Sequence, residues 1–230
     1  MPKNIAIITA RGGSKRIPRK NIKKFSGKPI IAYSIRAAIE SKLFDEVMVS
    51  TDDLEIKEIA LKYGAKVPFL RSMKNSDDFA STSDVMLEVI EEYTKQGNHF
   101  DYGVCIYPTA PFVTKEKLTE AFTKLVKGNF DTVFPIMSFG FPVQRSLKTQ
   151  GDKVIMNFPE YMNTRSQDLE TMYHDAGQFY FCDLKKFVEN QKLYTSNSGY
   201  IVISEIEGQD IDTETDWLLA ELKYKLMLND

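Results

Sequence analysis

Between Arg11 and Lys28 the chain carries eight lysines and arginines and no acidic residue. This run follows a short apolar segment, Asn4–Thr9, and opens on Gly12-Gly13. Glycines let a backbone turn with positive φ and bring N–H groups close to a ligand, and successive N–H groups in such a turn form an anion-binding nest. Arg11, Lys15, Arg19 and Lys20 can add charge-assisted bonds to phosphate oxygens. The loop has neither the GxGxxG nor the GxxxxGK[ST] pattern, so phosphate binding is expected without a dinucleotide or P-loop fingerprint. The alternative is a solvated surface loop.

Near the other end of the chain stands Asp210-Ile211-Asp212. Side chains two apart on an extended chain face the same side. Two carboxylates so placed make a hard-oxygen site suited to Mg²⁺, which takes one or two carboxylates plus phosphate oxygens. Helix capping is the alternative, because Asp212 or Thr213 could cap a C-terminal helix and Thr213-x-x-Asp216 has the form of a capping box. Capping would account for Asp212 but not for Asp210.

The charge distribution frames both ends. The formal net charge is −2, which argues against a general nucleic-acid binder, yet residues 1–39 hold ten lysines and arginines and no acid. The rest carries 20 basic against 32 acidic side chains. A basic N-terminal segment on an acidic body suits a polyanionic ligand. With 230 residues, 43% hydrophobic and 27% charged, the chain reads as one soluble globular domain. No apolar run reaches the roughly 18 residues of a membrane span, and the apolar stretch before Arg11 is too short for a signal peptide. Cys105 and Cys182 lie in apolar segments without a CxxC pair, as expected of buried thiols in a reducing, cytoplasmic compartment.

The elements that must position these groups alternate. Strands are expected at Asn4–Thr9, Asp45–Ser50, Lys66–Leu70, Asp101–Tyr107 and Asp131–Met137. Helices are expected at Pro29–Ser41, Leu54–Tyr63 before Gly64, Ser83–Lys95 and Lys115–Lys127. Continuous apolar strands between helices mean βαβ units and a doubly wound, mainly parallel α/β sheet. Residues 138–180 break the rhythm with prolines, aromatics and strand-like pieces at Lys153–Phe158 and Gln178–Cys182, and read as a β-rich insertion in a single domain of residues 1–230. A helix at Leu184–Asn190, a strand at Tyr200–Ser204 and a helix from about Thr213 follow. In such a sheet ligands bind at the carboxyl ends of the strands, which is where the basic loop falls.

The segment Ala10–Ile35 resembles the opening of the CMP-sugar synthetases for nonulosonic acids, the sialic acid cytidylyltransferase family. Val49–Asp53, Phe69–Arg71, Tyr107–Pro111, Asn163–Leu169 and Gln209–Thr213 resemble it in the same order, so the likeness covers nearly the whole chain. It implies a Rossmann-like nucleotidyltransferase that uses CTP and Mg²⁺, with no nucleic acid or membrane partner. It implies that Arg11, Gly12, Gly13, Ser14 and Lys15 meet the triphosphate, that Lys20 neutralises the α-phosphate, and that Asn21 meets the nucleoside. Arg71, with groups near Ser81 and Thr82, would read cytosine, whose O2 and N3 are acceptors for a donor-only guanidinium. Asp210 and Asp212 would hold the metal, and the insertion would form a homodimer.

The central part departs from sialate synthetases at Tyr107 and at His174–Ala176. Phe141–Arg145 and Arg165–Tyr180 are instead similar to the pseudaminic acid cytidylyltransferases, which implies CMP transfer from CTP to pseudaminate for surface or flagellar glycosylation. Legionaminate or N-acetylneuraminate would be the alternative acceptors, and a nucleotide-sensing module the non-catalytic alternative. Sugar contacts are expected from Tyr107, Gln144, Arg145, Arg165, Gln167, Tyr173, His174, Asp175 and Gln178, with Arg165 suited to the sugar carboxylate.

Overall fold

The computed structural model describes residues 2–229. In chain order the strands are β1 (Asn4–Thr9), β2 (Lys24–Phe25), β3 (Lys28–Pro29), β4 (Glu46–Ser50), β5 (Tyr102–Ile106), β6 (Thr132–Ser138), β7 (Leu147–Gln150), β8 (Lys153–Met156), β9 (Tyr173–Asp175), β10 (Phe179–Asp183) and β11 (Ser198–Val202). The helices are α1 (Ile31–Ser41), α2 (Leu54–Lys62), α3 (Thr82–Lys95), α4 (Lys115–Gly128), α5 (Leu184–Asn190) and α6 (Glu214–Asn229). The central sheet runs β11-β6-β10-β5-β1-β4, with β9 continuing beside β6. Three of its pairings, β1 with β4, β1 with β5 and β6 with β11, are parallel.

The strand β1 is buried on both faces, as an all-apolar run requires. Ala6 and Ile8 pack with residues of α1, α2 and α4 on one side. Ile5 and Ile7 pack with Met86, Val89 and Tyr93 of α3 and Leu184 and Phe187 of α5 on the other. Helix starts are fixed by the side chains expected to fix them. Asp53 accepts a hydrogen bond from the Ile56 N–H at 3.0 Å, and Ser81 and Asp84 cap α3 reciprocally.

Three expectations change. The segment Lys66–Leu70 is not a strand: only Lys66 bridges Met48, because Pro68 lacks the N–H that would extend the ladder. Pro29 is not the first residue of α1 but pairs with Lys24 in the β2–β3 hairpin. The strand-like piece at Gln178–Cys182 does not belong with irregular structure outside the sheet. As β10 it lies antiparallel between β5 and β6 in the centre of the sheet. Residues 139–172 leave the sheet, and there Leu147–Gln150 and Lys153–Met156 pair as an antiparallel ribbon.

A third apolar cluster stands apart from the two faces of the sheet. It joins Ile17 and Phe25 of the basic segment to Ile211 and to Trp217 and Ala220 of α6. Phe25 is fully buried and meets Tyr33, Trp217 and Tyr224 edge-on, with centroids 5.4–5.7 Å apart. The two chemically interesting ends of the chain therefore share one small core. Replacing Phe25 with Ala should cost about 3–5 kcal/mol, the usual range for a buried Phe→Ala change, measured by denaturant unfolding.

Candidate active site

The basic loop leaves the carboxyl end of β1 and lines a cavity of about 640 Å³. Arg11, Ser14, Lys15, Arg16, Lys20, Asn21, Thr82 and Tyr107 are on its wall. A smaller cavity of about 200 Å³ adjoins it, shares Thr9, Arg11, Asp78 and Thr82, and adds Arg71 and Ser81. Another cavity, of about 500 Å³, lies between α3 and α5 and contains none of the candidate residues.

The cations of the loop are held by acids from distant parts of the chain. Arg19 grips Asp53 through both terminal nitrogens, at 2.5 and 3.0 Å, and also bonds Glu55. The Arg19 hydrogen bond draws the Asp53 pKa down to about 2. This contribution to stability is present above the ordinary aspartate value and is lost as the pH falls through about 2. Arg11 and Lys15 both pair with Asp78, and the Lys15 bond is the first cause of the lowered Asp78 pKa. Arg16 reaches Asp212 at 2.6 Å. Lys20 donates to the Ile211 carbonyl at 2.7 Å, across 191 residues, and lies 3.6 Å from the Asp212 carboxylate.

The glycines act differently from the sequence expectation. Neither Gly12 nor Gly13 has positive φ; Arg19 and Ser26 take the left-handed conformations instead. Gly12 is required by close approach. Its N–H donates to Asp52 at 2.9 Å, and a Cβ there would stand 2.7 Å from an Asp53 oxygen. Asn21 is buried and donates to the Arg11 carbonyl at 2.8 Å, so it braces the loop from inside the cavity wall.

Arg71 is 8% exposed and is no surface ion pair. Its Nε donates to Ser50 Oγ at 3.0 Å and its Nη2 to the Ser50 carbonyl. Burial lowers its pKa, though an arginine remains charged. Ser81 caps α3, so its hydroxyl is committed to Asp84, while Thr82 faces both cavities.

The capping alternative for the late carboxylates resolves by residue. Thr213 and Asp216 cap α6: the Thr213 N–H donates to Asp216 at 2.8 Å, and the Asp216 N–H to Thr213 Oγ1 at 3.2 Å. Asp212 is left to the basic loop. Ile211 between the two aspartates is buried, whereas Asp210 is exposed and Asp212 partly so. Among the described residues no group of three or more histidines, cysteines or acids gathers as a metal cluster. Asp212, which meets the cavity residues Arg16 and Lys20, and Asp210 two residues before it are of the chemistry that fits a cation taking the rest of its oxygens from substrate.

The expected sugar residues divide. Tyr107 lines the large cavity. A bulge at Ala176–Gln178, with Gly177 at φ +63°, brings Gln178 against Tyr107: the Tyr107 N–H donates to the Gln178 carbonyl at 2.8 Å. The Gln178 side chain itself turns inward and donates to the Glu207 carbonyl at 2.6 Å, holding the segment before Asp210. Gln144 is buried and donates to the Glu170 carbonyl at 2.9 Å, and Arg145 donates to that of Thr164 at 2.6 Å. Arg165, Gln167 and Tyr173 are exposed and line neither of the two joined cavities. His174 bonds the Asp175 carbonyl through Nδ1 and lies 4.8 Å, centroid to centroid, from Phe139. Asp78, Arg16 and Tyr180 were missed. Of these Arg16 carries a sequence signal, because it stands in the basic run; the spacing around Asp78 and Tyr180 gives none.

A family model described as cytidylyltransferase matches residues 5–211. The chain belongs to the cytidylyltransferase family. It is 44% identical to a pseudaminic acid cytidylyltransferase of Campylobacter jejuni, over 97% of each chain. It is 34% identical to a CMP-N,N'-diacetyllegionaminic acid synthase of Legionella pneumophila, over 96% of each. Its fold is that of a CMP:2-keto-3-deoxy-manno-octonic acid synthetase solved with CTP, at a TM-score of 0.71, 16% identity and coverage of 99% of this chain and 100% of that one. As a cytidylyltransferase, this enzyme has its basic loop balanced by Asp78 before any nucleotide arrives. Asp78→Asn should therefore tighten CTP binding severalfold, measured by calorimetric titration without sugar.

Proposed function

We propose that this cytidylyltransferase transfers CMP from CTP to the anomeric 2-hydroxyl of pseudaminic acid and releases pyrophosphate. The observation that carries this reading is the joining of Asp212 to the basic loop through Arg16 and Lys20, which both line the large cavity. The choice of acceptor rests on the 44% identity, over nearly full length, to a relative named for pseudaminic acid.

The triphosphate enters beside Arg11, Ser14, Lys15 and Lys20. Arg11 and Lys15 exchange Asp78 for phosphate oxygens, and charge-assisted bonds to phosphate offset the ion pairs given up. Arg71 donates to the acceptor edge of cytosine in the smaller cavity, and Thr82 stands between base and phosphates. The sugar hydroxyl oxygen attacks the α-phosphorus in line, the bond from that phosphorus to the oxygen bridging the β-phosphate breaks, pyrophosphate leaves with the electron pair, and the hydroxyl proton passes to water. Lys20, fixed by the Ile211 carbonyl, stabilises negative charge at the α-phosphate without having to reorganise. Positioning and charge stabilisation provide most of the rate, as in other phosphoryl-type transfers.

Asp210 and Asp212 would hold Mg²⁺. When bound, it would screen the phosphate charge and lower the pKa of a coordinated hydroxyl. The domain reading is one nucleotidyltransferase unit over residues 1–230, its insertion confined to residues 139–172, which leave the sheet. The homodimer reading is supported by apolar side chains left open on that insertion, among them Phe141 at 90% exposure, Leu147, Val154 and Met162. A reducing, cytoplasmic setting accords with Cys105 and Cys182, both buried and free. No described helix is long and apolar enough to cross a membrane.

The test is pyrophosphate release with CTP and Mg²⁺, comparing pseudaminate, legionaminate and N-acetylneuraminate. Release with pseudaminate at the highest kcat/KM is expected, and Asp212→Asn should reduce it at least a hundredfold while the protein stays folded. Preference for another acceptor would refute the sugar assignment, and full activity of the variant would refute the metal assignment.

A further inference from the structure

Tyr180 is 8% exposed and sits at the start of β10, where that strand meets the carboxyl end of β5. Its hydroxyl donates to Asp175 Oδ2. The other Asp175 oxygen accepts the Gly177 N–H at 2.8 Å. The bulge with Gly177 in the left-handed region makes both bonds possible. A carboxylate can accept about four hydrogen bonds. Two donors, one on each oxygen, fix its orientation and leave capacity on a residue that is itself exposed.

The same tyrosine connects Asp175 to the nucleotide cavity. Its ring stands 5.6 Å from that of Tyr107 and 5.5 Å from that of Phe134. Tyr107 and Thr82 both line the large cavity. Burial, aided by Tyr107 and Asp175, pushes the Tyr180 pKa far above its ordinary value, so the phenol remains a donor. Tyr107, Tyr180 and Asp175 thus lead from the cavity wall outward, through the contact of the two rings and the Tyr180–Asp175 hydrogen bond.

We propose that Tyr180 is a positioning residue for sugar selection, holding the Asp175 carboxylate as a fixed acceptor for a neutral donor, hydroxyl or amide N–H, on the acceptor sugar. This rests on the nonulosonate reading above. A nonulosonate carries its own carboxylate, and two like charges brought together out of water repel. The sugar therefore turns its carboxylate toward the basic loop and its hydroxyl- or amide-bearing end toward Asp175. A fixed acceptor also disfavours analogues that lack the donor group, since its hydrogen bond is then left unmade.

Steady-state kinetics of the full chain separate this role from a structural one. Tyr180→Phe keeps the ring and should raise the KM for pseudaminate about tenfold while leaving the KM for CTP within twofold. Asp175→Asn should do at least as much. The double variant should be no worse than Asp175→Asn alone, because both changes remove one interaction. A parallel rise in both KM values, or full additivity of the two changes, would overturn the proposal while leaving the cytidylyltransferase reading intact. If Tyr180→Phe does not fold, Asp175→Asn decides, and an unchanged sugar KM refutes the role. Absence of turnover by the wild-type protein with every nonulosonate would instead sink the underlying reading, and this proposal with it.

Discussion

Holding many cations together near the start of the chain, with no acid among them, is the constraint on which the rest depends. Residues 1–39 contain ten lysines and arginines. Their mutual repulsion would splay the loop unless opposite charges were delivered by the fold. Asp52 and Asp53 come from the end of β4, Asp78 from the segment before α3, and Asp212 from the segment before α6. Exposed ion pairs of this kind are individually worth about 1 kcal/mol or less, so the pairs do not make the fold. They set the loop's shape and leave it ready to exchange carboxylates for phosphate.

The apolar part of the same joint supplies the rigidity. Ile17, Phe25, Ile211 and Trp217 bury together, which fixes the distance between the basic loop and the two late aspartates. Lys20 then has one position available, bonded to the Ile211 carbonyl. Lys23 lies over the Trp217 ring at 4.7 Å and also meets Glu214. A site assembled from residues about 190 positions apart thus depends on a small core separate from the two faces of the sheet. That core holds the basic loop and the Asp210–Asp212 segment in register.

The sheet was legible in the sequence because parallel strands buried on both faces must be continuously apolar, and β1, β4, β5 and β6 are. The direction of β10 was not, since Phe179–Cys182 is apolar whichever way it runs. Pro68 could have argued against the strand at Lys66–Leu70, because it removes a ladder donor. The basic loop, Asp210–Asp212 and the Thr213–Asp216 capping box were visible as local patterns, but the pairing of Asp212 with the loop was not, because its partners Arg16 and Lys20 stand at the other end of the sequence. Gln144 and Gln178 were expected as sugar contacts because they lie in the segments that resemble the pseudaminic acid cytidylyltransferases. Once buried, each amide had to find a carbonyl, and each did so away from the cavity. Asp78 and Tyr180 act across long separations or through a bulge, where no local spacing reveals them.

The central claim is that the loop surrenders its acidic partners to a nucleotide triphosphate beside the paired aspartates. A crystal structure with CTP and Mg²⁺ tests it most directly. The account predicts triphosphate oxygens on Arg11, Lys15 and Lys20, with Arg11 and Lys15 released from Asp78, cytosine against Arg71, and the metal on Asp210 and Asp212. A nucleotide bound elsewhere, or a triphosphate that leaves the Asp78 pairs intact, would contradict it.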